Sequence, residues 1–382
     1  MFQKTNIFFQ KRYAYIYWKF LFMKQFLSLY LFFFTSSTIS AQSKDIWVSF
    51  WDKDTTHIGF KDANGAIKIT PKFMGFTIAR KFDKIIAVTE DTGESWKSYY
   101  LTKSGKIVGR DSLYIFDNGP DCENEGYIRF TDQKTDKTGM FNSEGKIAIP
   151  ADYSALTKVR NGMIIALKGA TKEKLGDEHF SWSGGKEYLI DTNNKILIEN
   201  FGYNDALNFY SLQKSKSPDK DETRENFLGV DGQYYSFINY EKEFKLWLKN
   251  NLLSDLSKKN LIKLSFDKIT YWKEPTGWAS EAKAAFIDQN YNYIKLKLEE
   301  LKNPKTDYFV SNDGLNPFIF ETDEYEVYFN NCNEPKEWIY PIKNIVINSK
   351  NKADFKQDHF EFLRTEDGYK LISVTTAKND LK

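Results

Sequence analysis

Gly139-Met140-Phe141-Asn142-Ser143-Glu144-Gly145-Lys146-Ile147-Ala148-Ile149-Pro150 carries the phrase that organises this chain. Met140 and Phe141 precede a polar turn and Ile147 and Ile149 follow it, so the stretch reads as strand, short turn, strand. The phrase recurs from Gly59 to Ile67, from Tyr100 to Ile107 and from Tyr188 to Ile196. Aligned on the turn, Gly65, Gly105 and Gly145 fall 40 residues apart, and Asn194 takes the same place 49 residues on. Asn is the substitute expected there, because after Gly it best tolerates the left-handed backbone of a tight hairpin. These four are structural turn positions, and the repetition itself singles out no catalytic or ligand-binding residue.

Pro71 and Pro150 are expected to stop the second strand, since proline has no N–H to give to a ladder. Phe73 and Tyr153 would then fold back over the hairpin. A further apolar strand, Ile85 to Val88 or Met163 to Leu167, is expected to close each unit. One three-stranded unit cannot stand alone, so neighbours must cover each other's faces. The pattern resembles the WG-repeat family, in which glycine, an aromatic, an apolar strand, an Asp-x-x-Gly-Lys turn, an apolar pair, proline and an aromatic follow in order. Gly139 to Tyr153 is the fullest match, and Gly59, Phe60, Asp62, Gly65, Pro71 and Phe73 make the next. No copy has Trp before its glycine, and the second and fourth copies also lack the proline. The resemblance covers about 45–212 and implies a β-repeat binding or scaffolding module of bacterial envelopes, with no shared enzymatic activity.

The formal charge of +2 is misleading. Residues 1–41 carry Lys4, Lys11, Arg12, Lys19 and Lys24 and no acid, and the rest holds 49 basic against 52 acidic side chains, a formal −3. A near-neutral body with mixed signs gives no footprint for nucleic acid. Aromatic residues make up 17% of the chain, which suits strand faces. Met23-Lys24, the apolar run Phe26 to Phe34 and the small residues before Gln42 read as a signal peptide over 23–41, cut after Ala41, with 1–22 an upstream extension or Met23 the true start. An uncleaved amino-terminal anchor is the alternative. The expectation is an exported protein, periplasmic, cell-surface or secreted, with no stable membrane span after cleavage. Cys122 and Cys332 could pair in an oxidising compartment, but one bridge is not a disulfide framework, and the expectation is two unpaired, partly buried thiols.

The repeat domain is expected over 42–212, a polar linker or loop over 213–235, and an α+β domain over 236–376. Phe244, Trp247, Leu248, Leu252 and Leu256 share one helical face, and a second helix is expected from Ala282 to Leu301. Strands are expected at Phe318 to Phe320, Tyr325 to Phe329, Trp338 to Ile347, Phe360 to Leu363 and Tyr369 to Val374. Helices packed on an antiparallel curved sheet follow from that order. The last two strands and their Asp367-Gly368 turn resemble the final hairpin of the nuclear transport factor two-like cone fold, which implies a conical pocket.

Chemistry is sparse. His57, His179 and His359 lack metal-ligand spacing, and no metal or cofactor is expected. Asp52 and Asp54, like Asp191, Asn193 and Asn194, fit turn chemistry rather than a calcium loop. Ser181-Trp182-Ser183-Gly184-Gly185 lacks the order of a nucleophile elbow and reads as an exposed loop. Trp272, Trp278 and Trp338 read as core or as a ring-stacking pocket, with Trp278 the most exposed. The leading expectation is an exported, non-catalytic protein that binds a protein or glycan partner. The alternative is an envelope enzyme using carboxylates such as Asp323 or Glu326 in a carboxy-terminal pocket.

Overall fold

Each repeat turn closes through the same hydrogen bonds. The N–H groups of Gly65, Gly105, Gly145 and Asn194 donate to the carbonyls of Asp62, Thr102, Asn142 and Asp191 at 2.9–3.0 Å. Their φ values are 84°, 85°, 65° and 63°. The side chain three residues earlier caps the turn: Asn142 Oδ1 accepts from the Glu144 and Lys146 N–H groups at 3.1 and 2.9 Å. Asp62 and Asp191 do the same, and Thr102 Oγ1 accepts from Lys106. The computed structural model describes residues 45–176, 179–349, 356–376 and 381. The expected extension and export signal lie outside the described residues. Ile46–Lys382 makes one compact unit.

The turns join Ile58–Lys61 to Ile67–Phe73, Trp96–Thr102 to Ile107–Val108, Lys137–Asn142 to Ile147–Tyr153, and Lys186–Asp191 to Ile196–Glu199. The third strand opens a unit rather than closing one. Ile85–Asp91 pairs along the whole of Trp96–Thr102 and meets the unit before it only at Phe73 and Glu90. Met163–Lys168 likewise pairs with Lys186–Asp191 of the hairpin that follows. Trp47–Trp51 and Tyr127–Asp132 open the first and third units.

Pro71 and Pro150 do not end their strands. Phe60 faces Ile69 while Ile58 faces Phe73, so Gly59 alone opposes three residues and Pro71 sits in the bulge, where no ladder bond is asked of it. Gly139 and Pro150 repeat the arrangement. Here glycine is a matter of space: a Cβ on Gly59 would lie 2.6 Å from the Ile69 carbonyl oxygen, and one on Gly139 would lie 2.6 Å from the Phe130 ring.

Of residues 213–235, expected as a polar linker or loop, 216–223 form a loop and the rest belongs to a sheet and its turn. Leu207–Ser215, Arg224–Leu228 and Tyr234–Asn239 form a three-stranded sheet, and Gly229 to Gln233 make another turn of the repeat type. The Gly232 N–H donates to the Gly229 carbonyl at 3.0 Å with φ 75°. This fifth unit differs from the others in that its last strand, not its middle one, is central. Phe209, Phe227 and Phe237 pack with Leu189 and Ile198 of the fourth unit, while Lys216 to Glu222 lie in the connection between two strands and Arg224 is buried against Asp219.

No spacer follows. Asn239 ends the fifth unit and caps helix α1 (Tyr240–Trp247), its Oδ1 accepting from the Glu241 and Lys242 N–H groups at 2.8 and 3.1 Å. Helices α2 (Lys258–Lys263) and α3 (Lys283–Glu300) follow. Six strands form one sheet in the order Gly277–Ala282, Ser265–Lys273, Gly368–Thr375, Gln357–Thr365, Ile342–Asn348, Tyr308–Asp313. Ser265–Lys273 and Gly368–Thr375 run parallel, so the sheet is not wholly antiparallel. One core cluster gathers Phe286, Ile287, Ile294 and Leu298 of α3 with Ile345, Phe360, Phe362 and Val374 of the sheet. The expected strand at Phe318 to Phe320 is a turn held by Asn316, whose Oδ1 accepts from the Phe318 N–H at 2.9 Å. Tyr325 lies on a 3-10 helix, Asp323–Tyr328, and its ring is buried against Phe266 and Phe320. Trp338 to Tyr340 are also turn, and the strand begins at Ile342, after Pro341.

Candidate functional site

A cleft of about 1000 Å³ lies between the third and fourth repeat units and a loop of the carboxy-terminal half. That loop, Asn330 to Glu334, has the repeat turn's own bonding. The Asn333 N–H donates to the Asn330 carbonyl at 3.1 Å, Asn330 Oδ1 accepts from the Cys332 and Glu334 N–H groups at 2.9 and 3.0 Å, and Asn333 has φ 63°. A sixth copy of the turn therefore sits outside the repeats and docks back on them. The Asn331 carbonyl accepts from the Arg80 and Lys81 N–H groups at 2.8 and 2.9 Å, and Lys158 pairs with Glu334.

A disulfide fixes the docking. Cys122 and Cys332, expected as separate thiols, are bonded with Cα atoms 6.1 Å apart across 210 residues of sequence. The sequence could not show this, because the pairing depends on the loop's return to the repeats.

Beside the disulfide, Arg129 grips Asp121. Its Nη2 donates to Asp121 Oδ1 at 2.6 Å, its Nε and backbone N–H to Oδ2 at 3.0 and 2.9 Å, and its Nη1 to the Leu156 carbonyl at 2.9 Å. The Tyr114 ring lies 4.2 Å from the guanidinium. Burial pushes the Asp121 carboxyl up, but the charge and hydrogen bonds of Arg129 outweigh it and hold the group below the usual carboxylate range. This ion pair satisfies itself and is part of the cleft's frame.

Arg160 differs. A two-residue turn with Asn161 and Gly162 at φ 51° and 68° links it to Met163, and Glu125 accepts both turn N–H groups at 2.6 and 2.8 Å. The guanidinium lies 5.3 Å from the centre of the Trp338 ring. Its Nε is shut off from solvent without a hydrogen-bond partner, and the guanidinium makes no ion pair or side-chain hydrogen bond among the described residues. Burial draws its pKa down, opposed by Tyr203 and Glu337. The rim carries Trp182, Gly184, Gly185, Glu187 and Tyr203 from the fourth unit and Phe116 from the other side. Phe116 is 74% exposed and Tyr203 58%.

Trp338 and Trp182 were visible in the sequence but not as neighbours. Trp182 belongs to the strand His179–Ser183, not to an exposed loop. Trp278 packs edge-on to Trp272 at 5.5 Å, away from the cleft. His57 bonds Asp52 at 3.2 Å, and His359 meets Asn344 at 3.2 Å in a half-buried strand position. The Asp52 carboxyl, which burial would raise, is brought to about 2 by hydrogen bonds from Thr56 and His57. Asp323 and Glu326 edge a hollow of about 160 Å³, where Glu326 pairs with Lys81. No group of three or more His, Cys, Asp or Glu could hold a metal ion among the described residues. Arg160 was missed altogether: only the Asn-Gly pair after it hinted at a rigid turn, and nothing in its spacing marked a site.

A strand-rich chain of turn-bound hairpins with a cleft between modules is a β-repeat protein. Within the third unit and the start of the fourth, residues 139–170 match the family model described as WG containing repeat. No curated protein and no solved structure matches the chain. Nothing in these comparisons supports the cone-fold resemblance of the carboxy-terminal half.

Proposed function

We propose that this is an exported, non-catalytic binding protein whose inter-unit cleft takes a saccharide chain. In this reading a β-repeat array is followed by an α+β layer of three helices on a six-stranded sheet, which contributes the docking loop. The observation that carries the reading is the cleft wall. Trp182, Tyr203 and Phe116 line it, glycines form the rim, and Thr157, Asn200 and Glu187 supply polar groups. Pyranose rings offer an apolar C–H face and a hydroxyl edge, which such a wall complements. The disulfide supports export, because bonded cysteines persist in oxidising compartments.

The enzyme alternative has no observation in its favour. Between α3 and the sheet lie packed apolar side chains, and the hollows at Asp323 and at Asp267 have volumes of about 160 and 330 Å³, with Glu326 and Asp267 each paired to a lysine. The test is calorimetric titration of residues 42–382 with oligosaccharides drawn from a glycan array. Binding should fall at least about tenfold in Trp182→Ala, as stacked aromatic contacts supply roughly 1–2 kcal/mol. Absence of binding to every saccharide, or full affinity in Trp182→Ala, would sink the reading.

A further inference from the structure

We infer that the saccharide is anionic and that Arg160 receives its carboxylate. The inference rests on the saccharide reading of the cleft and adds the charge of the ligand. Four cationic side chains line the cleft, and two are engaged: Arg129 by Asp121 and Lys158 by Glu334. Of the other two, Lys186 is exposed to water, whereas Arg160 is half-buried and committed to neither a carboxylate nor a carbonyl. A guanidinium partly removed from water without a counter-ion is costly to keep, and a carboxylate offered to its two-pronged face is the group that best relieves that cost. The Trp338 ring lies 5.3 Å from the guanidinium and the Asn161-Gly162 turn fixes the stem, so the donors are placed before any ligand arrives.

The surroundings favour a sugar acid over a peptide. The open wall carries the rings of Phe116, Trp182 and Tyr203 beside the half-buried Leu167 and Pro335, whereas Leu156 and Ile165 are buried beneath it. Glu187 and Glu337 also line the cleft and would repel a dense run of acidic side chains, while a single carboxylate per ring can reach Arg160 and leave hydroxyls facing those acids. A uronic acid residue in a chain has this layout.

The test uses residues 42–382 with a short oligogalacturonate and with its methyl ester, which keeps the ring and removes the charge. The wild-type protein should bind the acid roughly 10- to 100-fold more tightly than the ester, as befits a charge-assisted pair. Arg160→Gln should erase that preference, its affinity for the acid falling to that for the ester, and Arg160→Lys should restore part of it. Equal affinity of the wild type for acid and ester overturns the inference whether or not either variant folds. If the ester still binds and Trp182→Ala weakens it, the saccharide reading survives and only the role of Arg160 falls. If neither sugar binds, the inference falls and the saccharide reading is left to the glycan array, whereas a polyglutamate peptide that displaces the acid as well as free oligogalacturonate does would end both.

Discussion

The repeats and the carboxy-terminal half bury their apolar side chains in opposite ways. Among the described residues, the first two units share a cluster of nine buried side chains and the third and fourth another of eight, whereas one cluster of 21 joins the helices and the six-stranded sheet. A repeat hairpin is closed within a few residues by its own turn. The six-stranded sheet pairs Ser265 with Leu371 and is not complete until the last strand arrives. Order in the first region is local and divisible, and in the second it is shared.

The sharpest way to break the comparison is at Phe286, fully buried where α3 meets the sheet. Phe286→Ala should cost about 3–5 kcal/mol and lower protection from hydrogen exchange throughout the carboxy-terminal half. Loss of protection in α3 alone would contradict a shared core.

Asp121→Asn comes next, since it leaves Arg129 buried without its counter-charge, at about 3 kcal/mol. It also gives a pH signature. The Asp121 carboxyl is held below its unfolded value near 3.9, so its contribution is present above that value and fades as pH falls through the lower folded one. Chemical denaturation below about pH 4 should therefore show a smaller wild-type advantage over Asp121→Asn than at pH 7. An unchanged difference would remove the ion pair from the account.

Gly139→Ala should cost about 1–3 kcal/mol, because its Cβ meets Phe130 and the Ile149 carbonyl. The loss of exchange protection should centre on the third unit. At the small end, Asn142→Ala removes one turn cap and should cost about 1 kcal/mol, read as a shift in melting temperature. Asn330→Ala removes the same cap from the docked turn, and an equal effect there would show that docking adds nothing to that turn's stability.

The same contrast explains what the sequence revealed. The repeat turns could be read because each is specified by neighbours: a capping Asp, Asn or Thr, then Gly or Asn three residues later. The fifth turn escaped because Gly229 replaces the capping side chain, and the sixth because Asn330-Asn331-Cys332-Asn333-Glu334 has no apolar hairpin strands beside it. Helices α1 and α3 showed through their 3.6-residue spacing. Ser265–Lys273, Gly277–Ala282 and Tyr308–Asp313 did not, since Asp267, Lys268, Ser280 and Glu281 interrupt an alternation that only the assembled sheet makes sense of. The cleft was the least legible part. Arg160, Trp182 and Trp338 come from separate elements, and their meeting depends on a covalent bond between residues 210 positions apart.

That bond makes residues 122–332 a closed ring of chain, with the third, fourth and fifth units threaded along it. A protease that cuts once at the exposed stretch Lys216 to Glu222 would not divide the molecule, since both pieces remain on the ring. Such a nicked protein should run as one species until a reductant is added and as two thereafter. The bridge thus gives the molecule a tolerance of damage that neither half has by itself.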